Sequence, residues 1–189
     1  MPFRLPLAAF AALLAFGSAT LRADELQDAK KLLREGDLAG ALDRAEAAVA
    51  AKPGSYEARF LEGVILAEQK RTDEAARTFT LLTQDFPEMP DSYNNLAVIY
   101  YGRGEYERAR DALHDALRAN PGFMTAYENL GDVYAALAAQ AYRKAIDLDP
   151  KNAAARAKLA AAREVALAPT RRTPRKPTTP GNATTPEQR

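Results

Sequence analysis

The sequence contains no cysteine, no tryptophan and a single histidine, His114. The missing cysteine removes disulfides, thiolate zinc sites, cysteine nucleophiles and a lipidated N-terminal cysteine together. One imidazole cannot build a histidine-rich metal centre, so no metal and no cofactor is expected. Neither a glycine-rich phosphate loop nor a Ser-His-Asp order is visible, and the chain reads as non-catalytic. A large charge of one sign is also lacking, with 26 basic and 25 acidic residues for a formal net charge of +1. The balance is not uniform along the chain. Met1–Ala23 holds two basic residues and no acidic one, and Ala168–Arg189 holds five basic residues and only Glu187. Asp24–Leu167 is left with 19 basic and 24 acidic residues, a net charge near −5 beside a tail near +4. A core without a basic face cannot neutralise phosphates, which argues against nucleic-acid binding.

Long apolar runs are scarce too. Arg4 precedes Leu5–Phe16, twelve residues without a charge, followed by Gly17, Ser18 and Ala19 and then by Leu21-Arg22-Ala23. A spanning helix needs about 20 apolar residues. A basic start, a short apolar stretch and small residues at the cut are the layout of a secretory signal peptide over residues 1–23, cleaved after Ala19 or Ala23. The expectation is a periplasmic or secreted protein, held together by core packing alone.

What is present is a period. Ala29, Gly63, Ala97 and Gly131 are spaced by 34 residues, and three positions beyond them Leu32, Leu66, Tyr100 and Tyr134 repeat the spacing. Later columns hold Ala41, Ala75 and Ala109, then Ala45, Phe79 and Leu113, then Ala48, Leu82 and Ala116, and finally Pro53, Pro87 and Pro121. Self-similarity at such a period is the signature of a repeat architecture. Within one unit, apolar residues over Tyr93–Tyr101 recur at helical intervals, Gly102-Arg103-Gly104 interrupts them, Tyr106–Leu117 resumes, and Asn120-Pro121-Gly122 ends the second helix. Each unit therefore reads as two amphipathic helices with a turn between them.

These residues resemble the tetratricopeptide repeat (TPR) family. Its pattern of aromatic, Leu-Gly, Tyr, Ala, Phe and Pro is met by Tyr93, Leu96, Ala97, Tyr100, Ala109, Leu113 and Pro121, and again by Tyr127, Leu130, Gly131 and Tyr134. The second unit departs, with Arg59 and Glu62 in the aromatic and Leu columns. The first unit departs further, with Glu25 and Asp28. The resemblance implies an all-α solenoid of about four helix pairs over residues 24–167, with repeats at about 24–55, 56–89, 90–123 and 124–151.

The fourth unit is short. Leu32 to Ala41, Leu66 to Ala75 and Tyr100 to Ala109 are all nine residues apart, whereas Tyr134 to Ala138 is four. The missing five residues are the interhelix turn. Tyr134–Ala141 contains no Gly, Pro, Asn or Asp and is rich in alanine, the best helix former. One continuous helix over about Thr125–Leu148 is predicted. Its second half would project, or complete a neighbouring chain's superhelix in a homodimer; a tight kink near Ala138 would instead return an ordinary monomer. After Pro150, Ala-rich residues 152–167 read as the capping helix that such stacks require. Residues 168–189, rich in Pro, Thr and Arg, cannot bury enough surface to offset their ordering entropy and are expected to be disordered. This tail reads as a solvated linker, as an electrostatic tether to anionic lipid or wall polymer, or as a segment that folds onto the acidic core.

The resemblance implies binding of a protein partner along a concave groove lined by first helices. The residues it places there are Lys30, Leu33 and Arg34, then Phe60, Val64 and Ala67, then Asn94, Val98 and Tyr101, and finally Glu128 and Asp132. The groove would run from basic through apolar to acidic. Some members grip a chaperone's C-terminal carboxylate with Lys, Asn and Arg. Asn95 and Asn129 occupy suitable columns, but Phe60, Val64 and Glu128 stand where basic residues are needed, and the clamp is expected to be absent. Three readings follow: an exported scaffold for envelope proteins, an assembly factor that captures unfolded exported clients as in cytochrome c maturation, and a self-assembling envelope component.

Overall fold

The computed structural model describes residues 25–167. The signal peptide expected over residues 1–23 and the basic tail, residues 168–189, lie outside the described residues. Eight helices follow one another: α1 (residues 25–35), α2 (Leu38–Ala51), α3 (Tyr56–Glu68), α4 (Thr72–Asp85), α5 (Pro90–Gly102), α6 (Tyr106–Ala119), α7 (Met124–Leu148) and α8 (Ala153–Leu167). They fall into two compact units, one ending at Tyr134 and the other beginning at Ala135.

In the first unit the predicted columns form the core. Ala41, Ala75 and Ala109, then Ala45, Phe79 and Leu113, are wholly buried on the second helices α2, α4 and α6. Small residues on one helix admit large ones on its neighbour. A Cβ added to Gly63 of α3 would come within 2.9 Å of Phe79 Cε1 on α4. Phe79 in turn meets Phe60 edge-on at 5.6 Å between ring centres, and Phe60 stacks on Tyr56 at 5.5 Å. Burying a side chain of this size stabilises by about 1.5–3 kcal/mol, and favourable ring pairs add about 0.5–1.5 kcal/mol.

The turns repeat as faithfully as the core. Gly36, Lys70 and Gly104, 34 residues apart, all have positive φ, at 83°, 64° and 76°. Beside each, the next amide donates back five residues: Asp37 to the Leu32 carbonyl, Arg71 to Leu66 and Glu105 to Tyr100, at 3.0, 2.9 and 2.9 Å. A left-handed residue with this bonding satisfies the last carbonyls of the first helix and reverses the chain. Asp37 and Ser55 then cap the next helices by accepting from the Gly40 and Ala58 amides. In the second unit, Asn152 does the same for α8 through the Ala155 amide at 2.9 Å.

The column departures in the second repeat have physical substitutes. Arg59 donates to Asp85 at 2.6 Å, at the end of α4, and its guanidinium lies 6.0 Å from the centre of the Phe86 ring. It thereby ties the two helices of its repeat where an aromatic residue usually packs. Glu62 is half-buried, and its carboxyl is held above the usual range, chiefly by burial and then by the like charge of Glu46.

The turn has no counterpart in the fourth repeat. Helix α7 runs unbroken through Ala138 for 25 residues, about 37 Å at 1.5 Å per residue. The continuous helix predicted from the five-residue deletion is present.

Candidate functional site

The first helices α1, α3, α5 and the opening turns of α7 carry all the groove candidates, within the first unit. Their surroundings differ. Lys30 of α1 pairs with Glu57 of α3, so this cation is tied across two repeats. Arg34, one turn on, is exposed. On α3, Phe60 and Val64 are half-buried, with the Phe60 ring engaged by Tyr56 and Phe79. On α5, Val98 is 41% exposed, and the Tyr101 ring lies 5.3 Å from that of Tyr106. Glu128 is exposed and Asp132 half-buried on α7. Leu33 and Ala67 are half-buried as well.

Asn94 is different from the rest. It is buried, and its Oδ1 accepts from Asn129 Nδ2 at 2.7 Å. This bond links α5 to α7 across the repeat boundary. Asn95 donates through Nδ2 to the Asp91 carbonyl at 2.8 Å. The two asparagines in the clamp columns are therefore occupied in holding helices, with no basic residue beside them in the columns of Val64 and Glu128.

Away from this face, a shallow depression is lined by Asp73, Arg77, Leu81, Tyr100, Arg103 and Arg108. Two of its three arginines are paired: Arg103 donates to Asp73 at 2.5 Å, and Arg108 pairs with Glu105 while lying 4.0 Å from the Tyr100 ring centre. Among the described residues no group of three or more His, Asp or Glu side chains could hold a metal ion. None of the described helices is long and apolar enough to cross a membrane. His114, on α6, is exposed, and its Nε2 lies 3.2 Å from Tyr134 Oη.

Three tetratricopeptide repeat models match the chain, over residues 26–90, 66–131 and 125–152. The chain belongs to the tetratricopeptide repeat family. A relative of known family, Tetratricopeptide repeat protein 36 of Caenorhabditis elegans, is 44% identical over 66 residues. The match takes in 34% of this chain and 37% of the relative, so only about a third of the relative's length is spanned. Among solved structures, MamA superposes with a TM-score of 0.56 at 22% identity, over 76% of this chain and 81% of its own. The first TPR of Spaghetti (RPAP3), solved bound to the HSP90 peptide SRMEEVD, gives 0.58 at 16% identity, over 62% of this chain and 93% of its own. At these identities the likeness is one of fold. A TPR stack of this kind is generally a non-catalytic scaffold for protein–protein contacts.

Proposed function

We propose that the protein is an exported, non-catalytic TPR scaffold that binds protein segments of the cell envelope along the face formed by α1, α3, α5 and the start of α7. The observation that carries this reading is the uncovered apolar middle of that face. Val98 stands open, Val64 is only partly covered, and they lie between the Lys30 and Arg34 end and the Glu128 and Asp132 end. An extended or helical segment with an apolar centre and a basic end opposite Glu128 and Asp132 complements such a face. The HSP90 peptide bound by the Spaghetti (RPAP3) domain does not suit this face, because Asn95 and Asn129 are engaged and the columns of Val64 and Glu128 hold no cation. Export rests on the N-terminal pattern.

Substitutions that test the face should spare the core. Phe60 packs on Phe79, so Phe60→Glu would unfold the repeat as well as charge the groove. Val64→Glu and Val98→Glu are the cleaner pair. In capture from envelope extract, both variants are expected to lose the partners that wild type retains, with helicity unchanged. Identical partners from all three proteins would remove the groove from the account. Export is read separately, from the N-terminus of protein recovered outside the cytoplasm: Thr20 or Asp24 is expected, and an intact Met1 would contradict it.

A further inference from the structure

The fourth repeat leaves two strips of α7 open, and each has the composition of the other's missing partner. In complete repeats the column of Gly63 and Ala97 is buried, and Gly63 lies against Phe79 of its own repeat's second helix. Gly131 stands in the same column but is exposed, with nothing within 4 Å of an added Cβ among the described residues. One turn on, Leu66 is 4% exposed and Tyr134 47%. The adjoining face of α7, with Ala126, Leu130 and Val133, is as buried as Ala58, Leu96 and Ile65, its counterparts in earlier repeats. The opening thus includes the strip that a second helix would cover.

The other half of α7 carries that second helix. Ala138, Tyr142 and Ala145 stand in the columns of Ala109, Leu113 and Ala116, which are wholly buried on α6. Here all three are only half-buried. Tyr142 cannot reach its own Gly131, because eleven residues of helical rise separate them by about 16 Å.

We infer that two copies of this chain pair antiparallel through α7, the Thr125–Tyr134 half of each seated on the Ala138–Leu148 half of the other. Tyr142 of one copy fills the recess over Gly131 of the partner copy, as Phe79 fills the recess at Gly63, and two fourth repeats are completed at once. A second copy is the fitting occupant because the two strips occur on one helix in reversed order, which a two-fold axis satisfies twice. The Pro-rich tail has no large apolar side chain with which to fill the recess.

Sedimentation of the purified full chain tests this pairing. Wild type is expected at about twice its monomer mass, and Gly131→Leu at the monomer mass with helicity retained. In a single chain that side chain enters open space and improves helix propensity. Tyr142→Ala, which only removes volume, should weaken the dimer about tenfold or more, as loss of a central aromatic anchor does. The sequence has no cysteine, so register can be read by oxidation of a chain carrying Gly131→Cys with Tyr142→Cys. These sites lie too far apart on one helix to bridge within a chain, since a disulfide needs Cα atoms within about 7 Å. A covalent dimer from the double variant and none from either single variant is expected. A wild type that stays monomeric at all concentrations, a dimer that survives Gly131→Leu, or a double variant that forms no covalent dimer would each overturn the pairing.

Discussion

Gly63 and Gly131 occupy the same column two repeat lengths apart, and they meet opposite surroundings. The first is buried against Phe79, and the second faces open space. Their own helices are alike in pattern. The difference arises beyond them, where Lys70 turns the chain with φ at 64° and returns α4 across α3, whereas Ala138 continues α7 as helix. A recess in a repeat protein is therefore made by a turn at a distance as much as by the small residue that lines it.

Removing the filler should separate the two repeats most strongly. Phe79→Ala is expected to cost about 3–5 kcal/mol in denaturant unfolding at any protein concentration, as wholly buried aromatics do. Tyr142→Ala should cost little at low concentration and more as concentration rises, because mass action governs contacts between copies. Equal, concentration-independent losses would erase the distinction. Filling the recess comes next. Gly63→Ala forces Phe79 to shift and should destabilise by about 1–3 kcal/mol, measured as a lowered denaturation midpoint.

Smaller effects sharpen the comparison at the turns and in the second repeat. Lys70→Gly should stabilise by about 0.5–1 kcal/mol, since glycine adopts left-handed backbone without the Cβ clash that lysine carries. A loss of stability instead would mean that the Lys70 side chain matters more than its backbone. Glu62→Gln should stabilise slightly at neutral pH, by about 0.5 kcal/mol after allowance for partial exposure, read as a raised denaturation midpoint. Burial and Glu46 hold the folded carboxyl above its ordinary range, so folding favours the protonated form. That stabilising contribution is complete below the ordinary carboxylate pKa and is lost as pH rises through the folded value. The gain from Glu62→Gln should accordingly vanish in acid, and a gain that persists there would point to a steric origin.

Much of this was legible in the sequence because spacing reports on neighbours that are fixed by period. The buried Ala75, Phe79 and Leu113 columns, the deletion after Tyr134 and the continuity of α7 all follow from counting residues. What spacing conceals is how far a side chain reaches. Asn94 lies on the expected helix face, yet it is buried and bonded to Asn129. Phe60 and Tyr101 lean their rings onto Phe79 and Tyr106 and present less than their positions suggest. Arg59 looks like a broken column and is mended by Asp85 and Phe86, residues 26 and 27 positions away. Lys70 carries no glycine signal, yet it adopts the same positive-φ turn with the same backbone bonds as Gly36 and Gly104. Val98, which the family resemblance assigns to the groove face, is 41% exposed.

The central claim is that five absent residues convert a closed repeat into an open one that a second copy completes. Restoring them tests it most directly. Copying Gly102–Tyr106 of the third repeat between Ala135 and Ala136 returns the Tyr134 to Ala138 separation to nine residues. Light scattering on wild type and the insertion variant side by side is the measurement. The account predicts a dimer for the first and a monomer for the second, with helical content nearly unchanged. The same mass for both proteins would contradict it.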